Sequence, residues 1–159
     1  MSERARHLAE RLEQANRELV ATVERLSDQE WRTTSPAEGW PLGVVAHHVA
    51  QGHHDIAQLV RMVAAGQSPP ASLTWETLNQ KNAEHARQYA NVSKAETVAL
   101  LRQNAAAAAA AVRALGDAEL DRTATLMGGP TSTAQVIERI LIGHVQEHHA
   151  SITKALASR

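Results

Sequence analysis

The sequence predicts an all-α protein, a four-helix bundle with an extra helix in a long crossover connection. Apolar residues recur at three- and four-residue steps through several long stretches, the periodicity of amphipathic helices. Alanine is abundant and phenylalanine is absent, a composition that suits close-packed helices better than a β core. Helix-capping motifs of the form S-x-x-E or S-x-x-Q stand at three predicted helix starts, Ser27–Glu30, Ser93–Glu96 and Ser132–Gln135.

Five stretches carry helical periodicity long enough to define an element. The first helix is predicted over residues 2–26, and the second over residues 41–65, with proline at its first helical position. A third helix follows over residues 74–89 and a fourth over residues 93–115, which ends before a glycine. The last helix is predicted over residues 132–157. The connection between the second and fourth helices is long enough to cross over the bundle.

The remaining segments are predicted to be short turns and loops. Residues 27–31 favour a short capped helical turn, and residues 33–39 a loop because they contain Ser-Pro and Gly. Another helical turn is expected at residues 118–120, followed by a break at Gly-Gly-Pro, residues 128–130. We find no linker or internal repeat, so the 159 residues are interpreted as a single domain, 1–159.

Composition excludes several classes of function. The formal net charge is −1, so nothing favours a nucleic-acid partner or an anionic membrane. The chain has no cysteine, which excludes disulfides and thiolate ligands, and any thiol chemistry needs a thiol from outside. No apolar run approaches a membrane span, and the start lacks the apolar core of a signal peptide. We therefore expect a cytoplasmic protein without a nucleic-acid or membrane partner.

The closing stretch carries a possible metal-binding pair. His144 and His148 lie four residues apart, a spacing that places both rings on one face of a helix. Both fall in an apolar stripe, which predicts that they are buried; its other members are Ile137, Ile140, Leu141, Ile152 and Ala155. Buried polar rings need partners, and a shared metal ion is one such partner.

His48 is a candidate third ligand from another helix. It lies on the predicted buried side of the second helix, beside Val45 and Gly52, and we expect Gly52 to leave room for a site there. Three imidazoles from facing helices are the way bundles build metal sites. The set suits Zn, Ni, Fe or Cu, with Zn or Ni expected foremost, and leaves positions open for substrate.

Other residues are weaker candidates. Gln51 and the half-polar stripe containing Asn82 and His85 are expected to line a pocket, while Asp55 or Glu147 could orient a ligand ring, a solvated carboxylate being the simpler interpretation. His53 is expected to be a core or ligand-orienting histidine. The remaining histidines lie on polar faces and are expected to be solvated: His7, His47, His54 and His149.

Two segments resemble a known family. Residues 39–50, Gly-Trp-Pro-Leu-Gly-Val-Val-Ala-His-His-Val-Ala, resemble the opening signature of the DinB-like superfamily, and residues 144–152 are similar to its closing H-x-x-x-H motif. The resemblance extends over nearly the whole chain. It implies a bundle of up-down-down-up topology, often dimeric, and places the family's metal-binding histidines on His48, His144 and His148.

The resemblance also implies a chemistry. Characterised members include metal-dependent enzymes that use a low-molecular-weight thiol, such as mycothiol-dependent maleylpyruvate isomerase and bacillithiol S-transferases. We therefore expect a divalent metal with a thiol such as mycothiol or bacillithiol, in an S-transferase or isomerase. Two alternatives stay open: a metal-dependent hydrolase that activates water, and a non-enzymatic, metal-stabilised dimeric binding protein.

Overall fold

A computed structural model describes residues 2–158, which form helices and one small hairpin. The long helices are α1 (Glu3–Glu24), α3 (Leu42–Ala64), α5 (Lys94–Arg113) and α8 (Gly143–Ala157). The shorter elements are α2 (Asp28–Trp31), α4 (Trp75–Gln88), α6 (Asp117–Leu120), β1 (Thr123–Leu126), β2 (Gly129–Ser132) and α7 (Thr133–Gln135). A π-helical stretch, the π segment (Val136–Ile142), joins α7 to α8.

Side-chain caps set most helix starts where the sequence predicts them. The hydroxyls of Ser27 and Ser132 accept from the amides of the third residue of their helices, and both capping boxes are complete. Ser93 and Thr74 cap α5 and α4 in the same way. Pro41 differs from its prediction, because it stands just outside α3 as the cap residue and makes no side-chain cap bond.

The four long helices form the predicted bundle. α1 packs against α5 and α8, and α3 packs against the same two helices. α1 and α5 run antiparallel, as two ion pairs between them show: Glu24–Arg102 and Glu13–Arg113. α1 and the last helix run parallel, joined by Arg11–Glu138 and Thr22–His149. α3 and α5 also run parallel, and α4 lies in the connection between them, so the up-down-down-up topology with an extra crossover helix is confirmed.

Two local features differ from the sequence prediction. The segment expected to be only a break folds as an antiparallel hairpin, β1 paired with β2, whose tip holds Met127 and Gly128 at positive φ (52° and 91°). Strands of four residues are too short to carry a clear two-residue period. The last helix also contains the π segment, so Ile142 and Val145 are buried although they lie off the predicted stripe, and Ile140 is only half-buried.

The core runs along the bundle axis, and its fully enclosed side chains come from every long helix. The apolar residues that recur at helical spacing along α5 and just beyond its end are all buried: Val98, Leu101, Ala105, Ala108, Val112 and Leu115. On α4, by contrast, no residue is buried, and Trp75 at its first position is 70% exposed. Across residues 2–158, each helix is too short or too polar to span a bilayer.

Candidate metal centre

Three histidines from two antiparallel helices meet at one point of the bundle. His48 comes from α3, and His144 and His148 come from successive turns of α8. The Nε2 atoms of His48 and His144 are 2.9 Å apart, and the three ring centroids lie 4.6–4.9 Å from one another. One nitrogen from each ring lies within 4.8 Å of the other two. The structure thus brings together the three residues singled out in the sequence.

Gly52 makes room for this arrangement. A Cβ atom at residue 52 would lie 2.5 Å from Cε1 and 2.7 Å from Nδ1 of His144, closer than real contacts allow. The sequence analysis expected Gly52 to leave space beside His48. The space is in fact filled by the ring of His144, which packs directly on the α3 backbone.

Burial keeps the rings of His48 and His144 neutral. Together with the neighbouring histidines, it lowers the pKa of His48 to about 3 and that of His144 to about 2. Neutral imidazole is the form that ligates Zn, Ni, Fe or Cu. Among the residues that the structure describes, none hydrogen-bonds to the buried Nδ1 of His144.

The spacing of the nitrogens also fits an ion. Ring nitrogens on one tetrahedral zinc lie about 3.3 Å apart, given Zn–N distances of about 2.0–2.1 Å. The 2.9 Å between Nε2 of His48 and Nε2 of His144 therefore needs only a small separation of the rings. Three such ligands would leave a coordination position open.

Glu38 is a residue of the centre that sequence reasoning missed. Its side chain is 9% exposed, and its Oε1 atom lies 3.0 Å from Nδ1 of His148, while the hydroxyl of Ser35 donates to Oε2. Burial raises the pKa of Glu38, but hydrogen bonds from Ser35, Ser151 and His148 outweigh it, so the net pKa lies below its ordinary value. Glu38 is therefore an ionised carboxylate against one of the three rings.

The two carboxylates considered in the sequence have other surroundings. Asp55 pairs with the ammonium group of Lys81 at 2.8 Å and accepts from Gln51 at 3.2 Å. Glu147 is exposed. Glu147 therefore follows the simpler interpretation, whereas Asp55 is half-buried and paired rather than solvated. The only signal for Glu38 in the sequence was its place directly before the Gly-Trp pair, where no periodicity indicates a buried side chain.

Ring side chains from α4, from the residue that follows it and from the loop before α3 lie beside the centre. The ring of His85 lies 5.7 Å from that of His48, and its Nε2 atom lies 2.8 Å from Nδ1 of His47. Burial lowers the pKa of His85 to about 4, with a contribution from His47. Trp40 packs edge-on against His48 at 5.3 Å, and Tyr89 stacks on His47 at 4.0 Å. The rings of Trp40 and His85 thus line one side of the centre and form what we call the aromatic wall.

Among the expected pocket residues, the structure separates His85 from the other two. His85 contacts His48, Gln51 is turned toward Asp55, and Asn82 is half-buried one turn before His85 on α4. A pocket of about 420 Å³ is lined by His47 together with the end of α4 and the start of α5, and not by the three histidines. His47 also contacts His85, which in turn contacts His48.

Two histidines expected to be solvated are not. His47 is 5% exposed, because α4 covers a wider arc of α3 than the apolar pattern indicates. His149 is half-buried, and its Nε2 atom lies 2.8 Å from the hydroxyl of Thr22 on α1. His7 and His54 are exposed, as predicted. His53 is a core histidine, 1% exposed.

Fold and site together define a helical bundle with an open three-histidine centre built between antiparallel helices. The chain belongs to the DinB superfamily, whose sequence profile matches residues 11–152. The family predicted from the two motifs is thereby confirmed. Among curated proteins, no sequence matches this chain significantly.

A solved structure supports the same fold. The chain is similar to YfiT from Bacillus subtilis, described as a probable metal-dependent hydrolase with an unusual four-helix bundle topology. The TM-score is 0.78 at 19% sequence identity, and the match covers 98% of this chain and 87% of the other. At this identity the similarity establishes the fold.

Proposed function

We propose that His48, His144 and His148 bind a divalent metal ion and form the active centre of a metal-dependent enzyme. The observation that carries the proposal is the convergence of three imidazoles, with the closest nitrogens 2.9 Å apart, at a position where the absence of a side chain at Gly52 leaves space for one of the rings. Zn or Ni suits this donor set. Such an ion would supply acidity to a coordinated thiol or water molecule.

The reaction we favour uses a low-molecular-weight thiol, such as mycothiol or bacillithiol, in an S-transferase or isomerase. The chain has no cysteine, so the thiol must be a co-substrate. The carboxylates nearest the centre are already engaged, Glu38 by His148 and Ser35 and Asp55 by Lys81. A thiol ionises beside a divalent cation without a protein base, which suits a centre whose nearest carboxylates in the described part of the chain are already engaged.

The aromatic wall would then face the electrophilic co-substrate. Trp40 and His85 flank His48 from two directions, and both offer flat, largely apolar surface with a polar edge. We place the small-molecule substrate against this wall, with His85 as its nearest polar contact. Gln51 and Asn82 remain weaker candidates for substrate contact than His85, since Gln51 already donates to Asp55.

A second candidate is a metal-dependent hydrolase. The similarity to YfiT favours it, as an analogy at the level of the fold. In this reaction the centre would activate water instead of a thiol, with no thiol requirement. The two candidates share the metal ligands and differ in the nucleophile.

Metal content is the first test. Protein purified without chelator is expected to contain close to one divalent ion per chain by elemental analysis, and His144→Ala and His148→Ala are expected to lose it. His54→Ala, an exposed histidine on α3, is the matched control and should keep the metal. Metal-free wild-type protein that cannot be loaded with Zn or Ni would contradict both enzyme candidates.

Activity then separates the candidates. Transfer of a thiol from a panel of low-molecular-weight thiols to a generic electrophile supports the transferase, whereas turnover of esters or amides without thiol supports the hydrolase. If metal removal unfolds the protein and neither assay responds, the metal-stabilised binding protein is the better description. Homodimerisation, implied by the family resemblance, stays a prediction that sedimentation can check.

A further inference from the structure

We propose that Glu38 is a positioning residue: it holds Nδ1 of His148 and so orients the ring of His148 for metal binding. The inference rests on the proposed metal centre and adds to it a residue from outside the two helices that carry the ligands. Glu38 lies in the loop between α2 and α3, 110 residues before His148, and meets it across the bundle. A carboxylate behind a ligating histidine is a common way to fix the orientation of the ring.

The loop that carries Glu38 is closed by its own backbone. The amide of Ser35 donates to the carbonyl of Trp40, and the amide of Gly39 donates to the carbonyl of Ser35, both at 2.8 Å. Gly39 has a φ of 74°, a conformation that glycine adopts without strain. A further bond at 2.8 Å joins Leu42 at the start of α3 to Thr33. Glu38 is therefore presented from a fixed turn.

Both oxygens of the carboxylate are engaged. Oε2 accepts from the hydroxyl of Ser35, a residue with no solvent exposure, and Oε1 faces Nδ1 of His148 at 3.0 Å. An ionised carboxylate only accepts hydrogen bonds, so Nδ1 of His148 must carry its proton. This selects one tautomer of the ring and leaves the lone pair of Nε2 for the metal.

The other two ligand rings have no such support. Within residues 2–158, Nδ1 of His144 has no hydrogen-bond partner, and His48 is flanked by the rings of Trp40 and His85. In the same part of the chain, Glu38 is thus the carboxylate that meets the three-histidine set, and it brings one negative charge to the three imidazoles. That charge favours a divalent cation over an empty centre.

The chain offers a matched control for charge. Glu147 directly precedes His148 on α8 and carries the same charge, but its side chain is exposed. A field effect of any nearby carboxylate would act through Glu147 as well. A positioning effect acts through Glu38 alone.

Three variants with two measurements test the proposal. Zinc affinity is measured by competition with a chromophoric chelator in Glu38→Ala, Glu38→Gln and Glu147→Gln. Loss of an outer-sphere partner typically weakens metal binding by about 10–100-fold, and this is expected for Glu38→Ala. Glu38→Gln retains an acceptor but not the charge, so we expect a smaller loss, near the ~10-fold lower end of that range. Glu147→Gln is expected to match the wild type.

The tautomer of His148 is the second measurement, made on metal-free protein from its side-chain ¹⁵N shifts. Wild type and Glu38→Gln should show the Nδ1-protonated form, and Glu38→Ala a mixture of tautomers. A merely structural role for Glu38 would not change this signature. The tautomer measurement also reports the effect of Glu38 on the His148 ring independently of metal binding and of enzyme activity.

The outcomes separate the two proposals. A wild-type protein that binds no zinc overturns the metal centre itself. If the wild type binds zinc, and both Glu38→Gln and Glu38→Ala bind zinc as tightly as the wild type does, only the role of Glu38 is overturned. An equal loss in Glu147→Gln would also overturn it, since charge alone would explain the effect. Should Glu38→Ala fail to fold by circular dichroism, Glu38→Gln decides the affinity question.

Discussion

His48 and His53 lie five residues apart on α3 and have different partners. Nε2 of His53 lies 2.8 Å from Oδ1 of Asn16 on α1, and the amide nitrogen of Asn16 donates in turn to the carbonyl of Leu101 on α5 at 3.3 Å. Nε2 of His48 instead meets Nε2 of His144. One histidine ties three helices together through ordinary donors and acceptors, and the other faces a second ring.

Burial alone does not distinguish these two environments. It lowers the pKa of His48 to about 3 and that of His53 to about 4, so both rings are neutral in the folded protein. The difference lies in the partners, since His53 has an amide oxygen and His48 has other imidazoles. A buried histidine whose ring is paired with an amide, as in His53, is structural, whereas ring nitrogens that face one another, as in His48 and His144, offer lone pairs to a ligand.

Gly52→Ala should disrupt the metal centre more than any other change between the two histidines. The added Cβ would overlap the ring of His144, and we expect zinc affinity to fall by more than the ~100-fold upper range for losing an outer-sphere partner. The measurement is chelator competition. Gly143→Ala, directly before His144, is the control, because its Cβ would make only an ordinary 3.6 Å contact. Equal zinc affinity in Gly52→Ala and wild type would show that His144 is not held against α3.

Acid should destabilise the protein through His53. Its pKa is about 4 in the folded state against an ordinary 6.5, so the unfolded chain binds more protons between those values. The contribution of His53 to the free energy of unfolding is complete above pH 6.5. As the pH falls toward 4, this contribution decreases by up to about 3 kcal/mol. Denaturant unfolding of metal-free wild type and His53→Gln across this range checks it. If the free energy of unfolding changes with pH equally in both proteins, His53 is excluded as the source of the acid destabilisation.

Asn16→Ala should weaken the fold and leave the metal centre intact. It leaves the ring of His53 without its acceptor, and an unsatisfied buried group typically costs about 1–3 kcal/mol of unfolding free energy. Gln14→Ala, exposed on the same helix, is the control for substitution on α1. Zinc affinity is measured on the same samples. A loss of zinc affinity in Asn16→Ala would mean that the two histidine environments are coupled.

Most of the helical architecture could be predicted because its signals are local. Hydroxyl caps such as Ser27 and Ser132 act within four residues, and the apolar period of α5 persists to Leu115. The hairpin could not be predicted from the sequence, because strands of four residues carry too little pattern. The π segment could not be predicted either, because a widened helical turn depends on tertiary packing. The π segment lies before His144, so the four-residue spacing to His148 was unaffected.

The amino-acid sequence alone determined the helices, their caps, the family and the three histidines proposed as ligands, because each depends on residues close together or on a motif. Tertiary structure decided which histidines are satisfied and which face one another. It also brought Glu38 to His148 and Asn16 to His53, across 110 and 37 residues. Such contacts depend on how a closed loop and neighbouring helices pack, and no local period along the chain encodes that packing.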